Sequence, residues 1–171
     1  MNVLELSLVI PCHNEEKNLR PLLSAIHETL DPLGLDYEVV ITDDCSTDNS
    51  WSVLKELAAN DSRLRIQRFK FNCGESAASW AGMQTARGRC IATLDADLQN
   101  DPKDLPTMLE ALKNADCVCG TRAATRARRA TIGFALPHRA SPIGCGTNYP
   151  AKTSAMPVAP IASSNANASR T

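Results

Sequence analysis

Short, nearly continuous apolar runs that alternate with segments of helical spacing constrain this chain more than any other feature. The first run, residues 6–10, ends at Pro11 and reads as a strand buried on both faces. Asn14 can cap a helix directly behind it, with Glu15 and Glu16 at the positive end of the helix dipole and Leu19, Leu22, Leu23, Ile26 and Leu30 along one face. The pattern then repeats. Strands are predicted over residues 37–42, 64–69, 90–94 and 116–120, and helices over 48–59, 75–85 and 102–114, the last with Pro102 in its first turn.

Strands alternating with helices of crossover length specify an α/β fold, with a mostly parallel sheet and helices on both faces. Such sheets take their ligands at the C-terminal ends of the strands. The polar clusters of this sequence fall there, at residues 11–15, 43–48 and 95–99, so three loops converge on one crevice.

Asp95 and Asp97 flank Ala96 directly after an apolar strand, a spacing suited to holding a divalent cation together with a diphosphate. Hard oxygen ligands favour Mg or Mn, and Gln99 offers a neutral oxygen. Such a cation neutralises charge on a departing diphosphate. The same tripeptide is equally at home in a solvated loop. Asp43 and Asp44 also read two ways: as a helix entry capped by Ser46, Thr47 or Asp48, or as carboxylates that accept hydrogen bonds from a base or ribose. Pro11, His13 and Glu15 form a turn and helix start whose functional pointer is their place at the crevice. The small residues after Gly74, from Ser76 to Gly82, read as a helix packed closely on the sheet rather than a phosphate cradle. Cys12 and Cys45 lie near the crevice without an opposed His base, which argues against a thiol nucleophile.

A length of 171 residues fits one domain with a core of its own. All 19 acidic residues precede residue 123, whereas 6 of the 18 basic ones follow it, so the two parts obey different compositional rules. The acidic, aromatic-poor first part carries no basic footprint, which excludes nucleic acid as an expected partner. No signal peptide and no membrane span are readable. The seven cysteines, an odd count without paired metal-ligand spacing, suggest reduced thiols in a cytosol. Cys117 and Cys119 are expected to point apart and pack separately, against joint metal ligation.

The segments LSLVIPCHNEEKNL, YEVVITDDCSTDNS, NCGESAASWAGMQTARG and IATLDADLQNDPKDLPTML, in this order, resemble the successive motifs of family 2 glycosyltransferases of the GT-A type. DADLQNDP with a following GTR is similar to the subgroup that makes dolichyl-phosphate mannose and undecaprenyl-phosphate sugars, over residues 5 to 126. The resemblance implies a Rossmann-like GT-A domain over 1–126 that binds a nucleotide sugar through Pro11, His13, Glu15, Asp43, Asp44, Asp95, Ala96 and Arg122. It implies a Mg or Mn ion at Asp95, Asp97 and Gln99. It further implies inverting transfer from a GDP- or UDP-sugar to a polyprenyl phosphate, by a cytoplasmic protein peripheral to the cytosolic membrane face. His13 departs from the frequent Tyr at its position, which replaces a stacking phenol ring with an imidazole able to contact the base edge and leaves the identity of the base open.

Residues 127–171 are rich in Ala, Ser, Pro, Thr and Asn, contain no acid and show no periodicity, so an irregular tail is expected there. Back-translation of residues 140–169 in a shifted frame permits LADWVRNKLSGENISDAGCTYRVFKREC, which looks like the acceptor-side segment of the subgroup. A frameshift near residues 126–130 is therefore expected, and with it the loss of the part that supplies the catalytic base. Two alternatives stand beside sugar transfer to a polyprenyl phosphate: a non-catalytic nucleotide-sugar-binding remnant, and a polysaccharide or cell-wall transferase of the same family.

Overall fold

The computed structural model describes residues 4–120 and the strand 135–137. In chain order the elements are β1 (Leu6–Cys12), α1 (Leu19–Leu30), β2 (Tyr37–Asp43), α2 (Ser50–Asn60), β3 (Leu64–Arg68), α3 (Glu75–Thr85), β4 (Cys90–Thr93), α4 (Leu105–Leu112) and β5 (Ala135–Pro137). The sheet order is β3-β2-β1-β4-β5. The first four strands are parallel, with Leu6 opposite both Tyr37 and Cys90, and β5 pairs antiparallel with β4. The order reverses at β1, since the chain moves outward through β2 and β3 before β4 returns to the other flank of β1.

The sheet's two faces differ in chemistry. On one, the alternate residues Leu6, Leu8, Ile10 and Cys12 of β1 and Tyr37, Val39 and Ile41 of β2 pack with Leu19, Leu22, Leu23, Ile26 and Leu30 of α1, Leu54 of α2 and Leu105 of α4. The period of two in the strands meets the helical period of α1, and the face is apolar throughout. On the other, α3 covers a smaller cluster of Val9, Val40, Ala86 and Ile91. Buried polar groups surround it. The Ser7 hydroxyl donates to Glu38 Oε1 at 2.7 Å, Arg65 and Arg87 reach Glu38 Oε2 at 3.1 and 2.7 Å, and Gln67 donates to the Thr42 hydroxyl at 2.8 Å. Burial alone would raise the Glu38 pKa, but the bonds from Arg87, Ser7 and Arg65 outweigh it and hold the carboxyl below its ordinary value. A Cβ on Gly82 would lie 2.5 Å from Val9 Cγ1, and one on Gly88 would lie 2.5 Å from the Ser7 backbone nitrogen. The small-residue segment after Gly74 is thus a closely seated helix, as read from the sequence.

The structure departs from the sequence reading in three places. First, α1 starts at Leu19, not behind Asn14. Asn14 takes φ 58° and turns the chain, and the Glu15 carbonyl accepts the Asn18 and Leu19 amides in a tight turn. Second, residues 102–114 divide into a 3-10 turn at Pro102–Asp104, capped by the Asp101 side chain, and then α4. Third, residues 116–120 form no strand. The place beside β4 is taken instead by Ala135–Pro137, inside the segment expected to be tail. Cys117 and Cys119 do not point apart either: their sulfurs are 3.9 Å apart. Residues two apart on an extended backbone share a face, so the expectation misapplied the strand period.

Candidate functional site

The loops after β1, β2, β3 and β4 all open at the C-terminal edge of the sheet. Those after β1 and β2 are tied into one unit. The Asn14 side-chain oxygen accepts the Thr47 and Asp48 amides at 2.8 and 3.3 Å, while the Asn14 and Glu15 amides donate to the hydroxyls of Ser46 and Ser50. The Glu16 amide donates to Asp48 at 3.2 Å and the Glu16 carboxylate accepts the Asn49 amide at 3.0 Å. Asp48 also accepts the amide of Ser50, the first residue of α2, but the cap position of that helix is Asn49, so Asp48 stands one residue before the cap expected of it.

Asp43 and Asp44 are both buried. Asp43 takes Ser46 on one oxygen and the Arg68 guanidinium on the other at 2.8 Å. Asp44 accepts the amides of Cys73 and Gly74 at 2.6 and 2.7 Å, one per carboxylate oxygen, and so fixes the turn into α3, where Gly74 at φ 90° supplies a backbone that L side chains rarely adopt. The Asp44 carbonyl in turn holds His13 Nδ1 at 2.9 Å. The Asn14 side-chain nitrogen lies 3.1 Å from Nε2, and the Asn72 side-chain nitrogen lies 3.3 Å from Nδ1. His13 is exposed and its ring is oriented from both sides, while Pro11 beneath it is buried.

Across the crevice, Leu94 continues alongside β1 through its amide to the Val9 carbonyl. Ala96 is buried, and Asp95 and Asp97 are half-buried. Asp95 Oδ2 accepts Asn100 at 3.0 Å, and Asp97 Oδ1 accepts the Gln99 amide at 2.9 Å. Each carboxylate keeps its second oxygen without a hydrogen bond among the described residues. Gln99 is exposed, and Arg122 lies outside the described residues. Among those residues no group of three or more His, Cys, Asp or Glu is placed to hold a metal. Asp95 and Asp97 offer two carboxylates with an oxygen each to spare, a donor set of the chemistry that hard divalent cations take but short of a full shell. Burial, with Asp43, Glu15 and Asp48 nearby, pushes the Cys12 thiol up to about 12 and so disfavours its thiolate form.

Asn14, Ser46 and Asp48, which hold the loops, were not read as a loop clasp from the sequence. One signal was available, since Asn tolerates the left-handed region better than most residues.

The sequence model of glycosyl transferase family 2 matches residues 7–159, most of the chain. This chain belongs to that family. It is 42% identical over 114 residues to the dodecaprenyl-phosphate galacturonate synthase of Rhizobium johnstonii, covering 66% of this chain and 34% of that protein. It is 38% identical over 120 residues to the dolichol-phosphate mannosyltransferase of Pyrococcus furiosus, covering 70% and 33%. This family 2 chain therefore spans about a third of the length of the relatives it matches, and they are polyprenyl-phosphate sugar transferases like the subgroup singled out by DADLQNDP. A solved mannosyltransferase from Pyrobaculum calidifontis, in complex with GDP-Man and Mn2+, shares the fold at a TM-score of 0.58 and 24% identity, covering 67% of this chain and 35% of that one. The GT-A-like parallel sheet with flanking helices is thus the fold of this family 2 chain. No helix among the described residues is long and apolar enough to cross a membrane.

Proposed function

We propose that the crevice binds a nucleotide sugar and that the chain carries the donor side of a transferase acting on a polyprenyl phosphate at the cytosolic membrane surface. The observation that carries this reading is the pair Asp95 and Asp97, each with a carboxylate oxygen to spare, on the loop facing a clasped β1–β2 rim. Pro11, His13, Glu15, Asp43, Asp44, Ala96 and Arg122 are assigned to the nucleotide pocket. Asp43 and Asp44 act through the loop geometry they fix and through their backbone atoms, because their carboxylates are already engaged.

Asp95, Asp97 and Gln99 would hold Mg or Mn, which supplies charge neutralisation for the leaving diphosphate. In the transfer, a phosphate oxygen of the acceptor forms a bond to the anomeric carbon as the bond to the nucleoside diphosphate breaks. We assign no general base to the described residues, and this favours a second reading, nucleotide-sugar binding without transfer. Measured turnover separates the two.

The test is calorimetric titration of the chain with GDP and UDP, with and without Mn, beside Asp97→Ala. Binding that requires both Mn and Asp97 is expected; absence of binding by a folded chain overturns the reading. The boundary between a donor-binding part over 1–126 and an out-of-frame tail is tested by the coding sequence. The shifted frame should run uninterrupted through codons 140–169 and encode the acceptor-side segment.

A further inference from the structure

We infer that Cys117 and Cys119 form an oxidisable dithiol, a modification site whose co-reactant is a peroxide. Their sulfurs stand 3.9 Å apart, Cys119 is exposed and Cys117 half-buried, and neither is in a disulfide. A disulfide needs the sulfurs at about 2 Å, a closure that rotation about the Cα–Cβ bonds can supply once one sulfur is activated. The segment lies outside the helices and the multi-residue strands, with Cys119 at a single-residue bridge, so closure disturbs one bridge and no run of ladder bonds. This inference does not depend on the nucleotide-sugar reading.

The chemistry balances in two steps. One thiol gives up its proton and the thiolate attacks a peroxide oxygen; the O–O bond breaks, a sulfenic acid forms, and the other oxygen leaves as hydroxide that takes up that proton to become water. The neighbouring thiol then attacks the sulfenic sulfur, the S–S bond forms and a second water leaves. Both sulfurs are oxidised and the peroxide is reduced. The small ring that results is exposed, and disulfides of that kind are readily reopened by a dithiol.

The crevice thiols are poorer targets. Cys12 is buried and held protonated by its surroundings. The Cys73 pKa is raised by burial, by Asp44 and by Cys45. Thiolate character governs the first step, so these sites lag behind an exposed pair.

The sequence supplies a clean readout. Cleavage after Lys113 and Arg122 yields a peptide that holds Cys117 and Cys119 and no other cysteine, while Cys12, Cys45, Cys73 and Cys90 each fall alone in their own tryptic peptides. The reduced full chain is treated with hydrogen peroxide, capped with iodoacetamide, digested and weighed. The 114–122 peptide should appear uncapped and lighter by two hydrogens, in a fraction about tenfold above the oxidised fraction of the Cys12 peptide. Dithiothreitol before capping should restore two caps. Cys117→Ser should abolish the loss of two hydrogens while circular dichroism stays unchanged. Two caps on that peptide after peroxide, separate over-oxidation of each sulfur, or a cross-link joining the Cys45 and Cys73 peptides in its place would each overturn the inference.

Discussion

The two faces of the sheet solve the same packing problem with different materials. On the α1 face, aliphatic side chains from three helices fill the space above Leu8, Ile10 and Ile41. On the α3 face, one helix of small residues comes close enough for Gly82 to touch Val9, and the strands beneath it bury Ser7, Glu38, Thr42 and Gln67. The first face is held by area removed from water, which is tolerant of detail. The second depends on close approach and on every buried polar group finding its partner, so small changes should be felt there.

The largest effect is expected from Leu22→Ala on the α1 face, a fully buried truncation costing about 3–4 kcal/mol in urea unfolding. A loss near 1 kcal/mol would mean that this face collapses readily around cavities. Next comes Glu38→Gln on the α3 face, with an expected loss of about 3 kcal/mol at neutral pH. Because the folded Glu38 carboxyl lies below its ordinary value, its contribution is present above the unfolded pKa of about 4.3 and is lost as pH falls through the lower folded value. The gap between wild type and Glu38→Gln should therefore narrow below about pH 4. A gap independent of pH would show that the cluster acts by packing rather than charge. Gly82→Ala should cost about 1–3 kcal/mol by pushing α3 off Val9. Asp97→Ala, outside both faces, should change stability by less than about 0.5 kcal/mol while removing Mn-dependent nucleotide binding.

This contrast also explains what could be read beforehand. Hydrophobic period found the α1 stripe in full: the residues from Leu19 to Leu30 read as apolar are the buried ones, and β1 to β4 start where their apolar runs start. The Glu38 cluster left no local trace, because Arg65 and Arg87 come from 27 and 49 residues away. Helix entry at Asn14 was misread for a related reason. A side chain able to cap its own helix bonds instead to a loop more than thirty residues on. Strand β5 was invisible because three residues are too few to show alternation and their pairing is set by the edge of β4. At the crevice, the positions of Asp95 and Asp97 followed from strand ends, but the engagement of the Asp43 and Asp44 carboxylates did not, since their partners at Arg68, Cys73 and Gly74 lie on another strand and its loop.

The clasp between the β1 and β2 loops bears on kinetics. Its hydrogen bonds join the two loops through the chain's own side chains and amides, so the order of that rim is supplied by the protein itself rather than by a bound nucleotide. Encounter should then set the association rate, and differences in affinity among nucleotides should be expressed as differences in residence time.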